Sequence, residues 1–123
     1  MTPEAAKREA FLFLDQTTRR AALDWSAPRE PTAERCSGGV KFQYLVHAPL
    51  SSTQSELADT LAAYWRSEGL SVERTQEDFG AGYGLVYAAT ARAQGSPGAA
   101  FEITRLHALV YIDSQCVAGE AGD

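Results

Sequence analysis

The chain has 123 residues, and 45% of them are apolar, which excludes an intrinsically disordered protein and suffices for one domain with one hydrophobic core. Sixteen acidic against eleven basic side chains give a net charge of −5, and this excess of negative charge disfavours nucleic acids and anionic membrane surfaces as partners. No run of the sequence approaches the ~20 apolar residues that a transmembrane helix needs.

The first element in the chain is a predicted helix. Residues 2–4, Thr-Pro-Glu, are typical of a helix start. The threonine hydroxyl can cap the helix, the proline suits the first helical position, and the glutamate suits the positive end of the helix dipole. Apolar residues at helical spacing follow from Phe11 to Trp25, so the pattern predicts a helix over 3–24. Because Met1 leads straight into this helix, we expect no signal peptide within the chain.

Residues 26–39 form a predicted connector, since Pro28 and Pro31 oppose regular structure and a Gly-Gly pair ends the segment. The residues from Val40 to Val46 then alternate between apolar and polar types, which predicts a half-buried strand. The next segment, 52–68, has capping-box spacing at its start, an apolar stripe and a glycine after its end, and these features predict a second helix.

Four further strands are predicted in the second half of the chain. Their approximate positions are 70–74, 84–92, 101–103 and 109–112. The element order is therefore α-β-α-β-β-β-β. Strands that follow one another through short turns pair antiparallel, so we predict an α+β two-layer sandwich, with about five mainly antiparallel strands and two helices on one face. We expect a single domain over 1–123, with a strand-helix-strand core at 40–116 and a flexible tail at 117–123.

The only two cysteines, Cys36 and Cys116, bracket the predicted strands. Their spacing fits neither a CxxC redox motif nor a zinc ribbon, so we expect a structural disulfide, with two free buried cysteines as the alternative. A disulfide would place their Cα atoms about 4.4–6.8 Å apart. It would also indicate an extracytoplasmic protein, secreted or on the outer face of the membrane. If Met1 is the natural start, we expect a cytoplasmic protein instead.

No motif predicts catalysis, a cofactor or a metal. The glycine-rich segment 80–84 lacks the Lys-Ser/Thr and the following helix of a phosphate-binding loop, so we interpret it as a β-turn. A metal site would need His47 and His107 to converge with an acid such as Asp113 or Glu102, and we interpret both histidines as surface residues.

Two sets of residues are candidates for binding. A pocket between the helices and the sheet would be lined by Phe42, Leu61, Trp65 and Tyr87, which fall on predicted core faces. Tyr83, at the edge of the glycine-rich loop, is the candidate for an exposed recognition aromatic, with packing at the strand end as the alternative.

The order of these motifs resembles that of small actinobacterial exported proteins, often lipoproteins of unknown function. The shared features are a Trp and a Pro-rich connector, a Cys-x-Gly-Gly strand start, a Tyr-Trp…Gly helix end, and a late Cys before a Gly-rich acidic tail. The corresponding residues are Trp25, Pro28, Pro31, Cys36, Gly38, Gly39, Tyr64, Trp65, Gly69, Cys116 and Gly119. The lipobox cysteine of such proteins is not in this chain, so a lipid anchor would lie outside it. The resemblance implies no catalytic residues.

We therefore expect a non-catalytic extracytoplasmic domain, a monomer or weak oligomer without a cofactor, that binds or scaffolds an unknown protein or small molecule at the cell envelope. One alternative is a carrier of a small apolar ligand, using the pocket between helices and sheet. Another is an inhibitor or immunity-type protein whose acidic body binds a basic partner. A hydrolase would need a cleft that combines His47 or His107 with an acid.

Overall fold

The computed structural model describes residues 1–81 and 84–120. These residues form one six-stranded antiparallel sheet in the order β1-β2-β6-β5-β4-β3, with two helices on one face. The elements are α1 (Pro3–Thr18), β1 (Thr32–Cys36), β2 (Gly39–Pro49), α2 (Gln54–Ser67), β3 (Ser71–Asp78), β4 (Leu85–Arg92), β5 (Gly98–Ile103) and β6 (His107–Asp113). The predicted α+β sandwich is confirmed, with six strands rather than five.

The first helix is shorter than its apolar periodicity suggests. The Thr2 hydroxyl accepts a hydrogen bond from the Ala5 N–H at 3.1 Å, as a capping residue does. The helix ends at Thr18, and not at residue 24 as predicted. Trp25 still packs against the core, because the chain turns after the helix and the Trp25 indole N–H donates to the Ala21 carbonyl at 3.0 Å. The later apolar residues therefore reach the core from a turn.

The predicted connector contains a strand. Within 26–39, β1 pairs antiparallel with β2 through a hairpin that sets Cys36 opposite Gly39. Gly38 in its turn has φ +79°, a conformation that favours glycine. The segment Thr32–Cys36 has no alternation of apolar and polar residues, because it is an edge strand that buries little, and this explains why the sequence pattern did not reveal it.

The core lies between the helices and the sheet face that they cover. Helix α1 packs on β2 and β6, and α2 packs on β3 and β4. The Trp65 ring lies 5.6 Å from the Phe101 ring, centroid to centroid, in the main buried cluster. Within the residues that the structure describes, neither helix has the length and apolar character needed to cross a membrane.

The disulfide joins the β1 hairpin to the segment after β6. Cys36 and Cys116 are bonded, and their Cα atoms are 6.0 Å apart, so the predicted proximity is confirmed. The next residue, Val117, exchanges two backbone hydrogen bonds with Val40, at 2.8 and 2.9 Å, and is buried. The prediction that a flexible tail begins at 117 is therefore wrong at that residue. Residues 121–123 lie outside the described part of the chain.

Candidate functional site

The sheet face opposite the helices carries a partly apolar surface. Residues on a strand alternate between the two faces, and here the buried set faces the helices whereas the other set is partly exposed. In the partly exposed set, Leu45 is opposite Tyr111 on the neighbouring strand. Glu102 is opposite Leu109 on one neighbouring strand and opposite Ala88 on the other. We call this surface the open face.

A half-open groove of about 540 Å³ lies at one end of the open face. Val86 and Ala88 of β4 form its floor. Two large apolar side chains border it from loops: Phe79 after β3 is 55% exposed, and Leu106 between β5 and β6 is 63% exposed. The complete lining is Thr75, Glu77, Phe79, Val86, Ala88, Glu102, Thr104, Arg105, Leu106 and His107.

The turn that carries Leu106 is fixed by hydrogen bonds. The Thr104 hydroxyl accepts from the backbone N–H groups of Leu106 and His107, at 3.3 and 3.0 Å. The Thr104 N–H donates to the His107 carbonyl at 2.9 Å, and the Leu50 N–H donates to the Leu106 carbonyl at 2.8 Å. Because both its own turn and the segment after β2 hold this backbone, Leu106 is presented to solvent from a defined position.

The loop that carries Phe79 is also closed by backbone hydrogen bonds. The Phe79 N–H donates to the Gly84 carbonyl at 3.0 Å, and the Gly84 N–H donates to the Gly80 carbonyl at 2.9 Å. The Gly80 N–H donates to the Asp78 carboxylate at 2.8 Å, and its φ of +85° favours glycine. The glycine-rich segment therefore joins two antiparallel strands, as expected of a turn. Tyr83, the predicted recognition aromatic, lies outside the described residues.

Two carboxylates flank the apolar floor. Glu77 on β3 is opposite Val86, and Glu102 on β5 is opposite Ala88, so they border β4 from its two sides. The field of Glu102 extends along the open face. The pKa of Tyr111 is raised above its ordinary value, first because the phenol is partly buried and second because the negative charge of Glu102 opposes its ionisation.

The histidines lie on the open face but do not build a metal site. His47 is opposite Leu109, and His107 is opposite Pro49 on the neighbouring strand. Within 1–81 and 84–120, no three His, Cys, Asp or Glu side chains are arranged to hold a metal ion. Asp113 instead accepts from the Gln43 amide at 2.9 Å and from the Lys41 ammonium at 3.4 Å.

The lining of the groove includes one histidine and two acids, the residue types that a hydrolase would need. His107 lines it together with Glu77 and Glu102. The hydroxyl of Thr104 is not available as a nucleophile there, because it accepts two backbone hydrogen bonds and is placed to donate to the His107 carbonyl at 3.2 Å.

The four residues of the predicted pocket do not line the groove. Leu61 and Trp65 are fully buried in the main cluster, and Tyr87 packs against that cluster. Phe42 belongs to a second, smaller cluster, so the four side chains do not converge on one space. The groove is on the opposite face of the sheet. The pocket between the helices and the sheet stays a prediction.

Sequence reasoning missed the groove, although one signal was present. Residues 85–89 of β4 are apolar without interruption, and all except the last are only partly buried. An unbroken apolar run indicates a strand with apolar surface on both faces, and here the second face is the groove floor. Phe79 and Leu106 carried no comparable signal, because each is a single apolar residue in a turn.

The geometry therefore identifies an apolar groove with an acidic border. Comparison of the chain with protein-family models, curated proteins and solved structures gave no match, so the resemblance to actinobacterial exported proteins has no further support.

Proposed function

We propose that this protein is a non-catalytic binding domain that holds a small, largely apolar ligand in the groove of the open face. The observation that carries the proposal is the pair of exposed apolar side chains, Phe79 and Leu106, on fixed turns above the apolar floor of Val86 and Ala88. A volume of about 540 Å³ lies within the range of small-molecule sites, which are concave and mostly apolar. This role is the small-ligand carrier considered from the sequence. Its site is on the sheet face opposite the helices, and not between the helices and the sheet.

The compartment is part of the same proposal. The Cys36–Cys116 bond supports an oxidising, extracytoplasmic location, because disulfides persist there and are rare in the cytosol. A position at the cell envelope, with a lipid anchor outside this chain, extends this proposal. It depends on the sequence resemblance alone.

Binding of a neutral apolar dye tests the groove. We expect Nile red to bind saturably with a rise in fluorescence. Replacing Phe79 or Leu106 by serine removes apolar contact surface, and burying such a side chain is worth about 1.5–3 kcal/mol, so each change should weaken binding about tenfold or more. Both residues are more than half exposed, so the variants should keep their fold.

Leu45→Ser is the matched control. Leu45 is an exposed apolar residue on the same open face, but it does not line the groove. Its replacement should leave the affinity for Nile red unchanged. If the unmodified protein shows no saturable binding, or if all three serine variants weaken binding equally, the groove is not the binding site.

An inhibitor that binds a basic partner is the second candidate, and the edge strand β3 favours it. Its side chains are exposed along most of its length and include Glu73, Glu77 and Asp78. The basic residue in this strand, Arg74, is paired with Asp59 of α2 at 2.8 Å. Charge reversal at Glu73, which does not line the groove, should weaken salt-sensitive association with a lysine-rich peptide, whereas a ligand in the groove should bind as before.

A further inference from the structure

The charges around the groove restrict the chemistry of its ligand. The carboxylates of Glu77 and Glu102 stand on strands that flank the floor strand, and side chains at these positions share its face. From the strand spacing and a two-residue offset, their Cα atoms are roughly 12 Å apart. The carboxylates therefore border the floor from two sides, so a ligand that lies on Val86 and Ala88 has one carboxylate on each side.

The positive groups at the groove do not balance these acids. Arg105 lines the groove and supplies one positive charge against the two carboxylates. Beyond the groove, β3 adds Glu73 and Asp78 to the same edge of a chain whose net charge is −5.

From the apolar floor and the two flanking carboxylates, we infer that the ligand is a cationic amphiphile: an apolar body carrying a positively charged head group. This inference rests on the proposed function of the groove. The body lies against Val86, Phe79 and Leu106, and the head group pairs with Glu77 or Glu102. Such a pair at the edge of an apolar, partly desolvated surface is stronger than the same pair in water. An anionic head group would be repelled by both acids.

Three detergents with the same ten-carbon tail separate the head-group chemistries. They are decyltrimethylammonium, decyl maltoside and decanoate, each used below its micelle concentration to displace Nile red at pH 7.5 and 0.15 M salt. We expect the cation to bind about tenfold more tightly than the neutral compound, with decanoate weakest. The preference for the cation should shrink as salt is added.

Charge-neutral variants locate the head-group site. Glu77→Gln together with Glu102→Gln should reduce the preference for the cation over decyl maltoside to less than about twofold. Glu73→Gln is the control, because Glu73 shares the strand and the face of Glu77 but does not line the groove. This variant should keep the full preference, since charges beyond about 8 Å are screened at this salt concentration.

The outcomes separate the two proposals. If decyl maltoside binds as tightly as the cation, or decanoate binds best, the cationic head group is wrong while the apolar groove stands. If none of the three detergents displaces the dye, or the dye does not bind, the proposed function itself fails. If the glutamine variants lose binding of all three compounds, the acids support the groove structurally and the head-group assignment is wrong.

Discussion

The hydrogen bond between Trp65 and Thr17 is a buried connection between the two helices, and its contribution can be measured. The indole N–H of Trp65 on α2 donates to the Thr17 hydroxyl on α1 at 3.2 Å, and both side chains are 0% exposed. Replacing Thr17 by valine keeps the shape of the side chain and removes the acceptor. The indole N–H is then left without a partner in a place that water does not reach.

The expected cost follows from that geometry. A buried donor without a partner costs about 1–3 kcal/mol, and the extra methyl group of valine offsets part of this. We therefore expect Thr17→Val to lower the free energy of unfolding by about 1–2 kcal/mol. Thr17→Ser keeps the hydroxyl and loses one methyl group, which costs about 1 kcal/mol by a different mechanism.

A double-mutant cycle separates the two mechanisms. In a Trp65→Phe background no indole N–H remains, so Thr17→Val should cost nothing, and the coupling energy between the two sites should be about 1–2 kcal/mol. Thr17→Ser should cost the same in both backgrounds. Urea unfolding followed by far-ultraviolet circular dichroism gives all of these values without depending on tryptophan fluorescence. A coupling energy below about 0.3 kcal/mol for the valine cycle would refute the assigned role of this hydrogen bond.

Three further predictions concern the disulfide, a close backbone approach and alkaline pH. Replacing both cysteines by serine opens a loop spanning 80 positions and should lower the free energy of unfolding by about 2–4 kcal/mol. Reduction of the unmodified protein should give a similar loss. Equal urea midpoints for the oxidised, reduced and serine-substituted proteins would contradict this. A Cβ at Gly39 would overlap the backbone carbonyl of Val117, so Gly39→Ala should lower the free energy of unfolding by about 1–3 kcal/mol. Gly98→Ala should cost less, because a Cβ there makes an ordinary contact at 3.6 Å. The reverse order of stabilities in urea unfolding would be inconsistent with the structure. The pKa of Tyr111 is raised from 10.0 in the folded state, so stability linked to its proton is fully present below pH 10 and is lost as the pH rises through the raised pKa. Glu102→Gln should therefore move part of the tyrosine absorbance titration to lower pH, and an unchanged titration would exclude the charge effect.

Local patterns in the sequence determined most of the secondary structure. The cap and the proline located the start of α1, and the capping box located α2. Alternation located β2, because a strand with one buried face must repeat every two residues. With only two cysteines in the chain, the disulfide partners also followed from the sequence alone.

Tertiary structure alone decided the edge strand β1, the early end of α1 and the groove. β1 is a strand because it pairs with β2, and its own residues bury too little to show a pattern. The groove combines β3, β4, β5 and two turns, which adjoin one another only because the strand order is β1-β2-β6-β5-β4-β3. Sequence patterns report which residues are buried within one element. Pairing between distant strands sets which exposed residues become neighbours. For this reason Phe79 and Leu106 could be recognised as residues of one groove only from the folded chain.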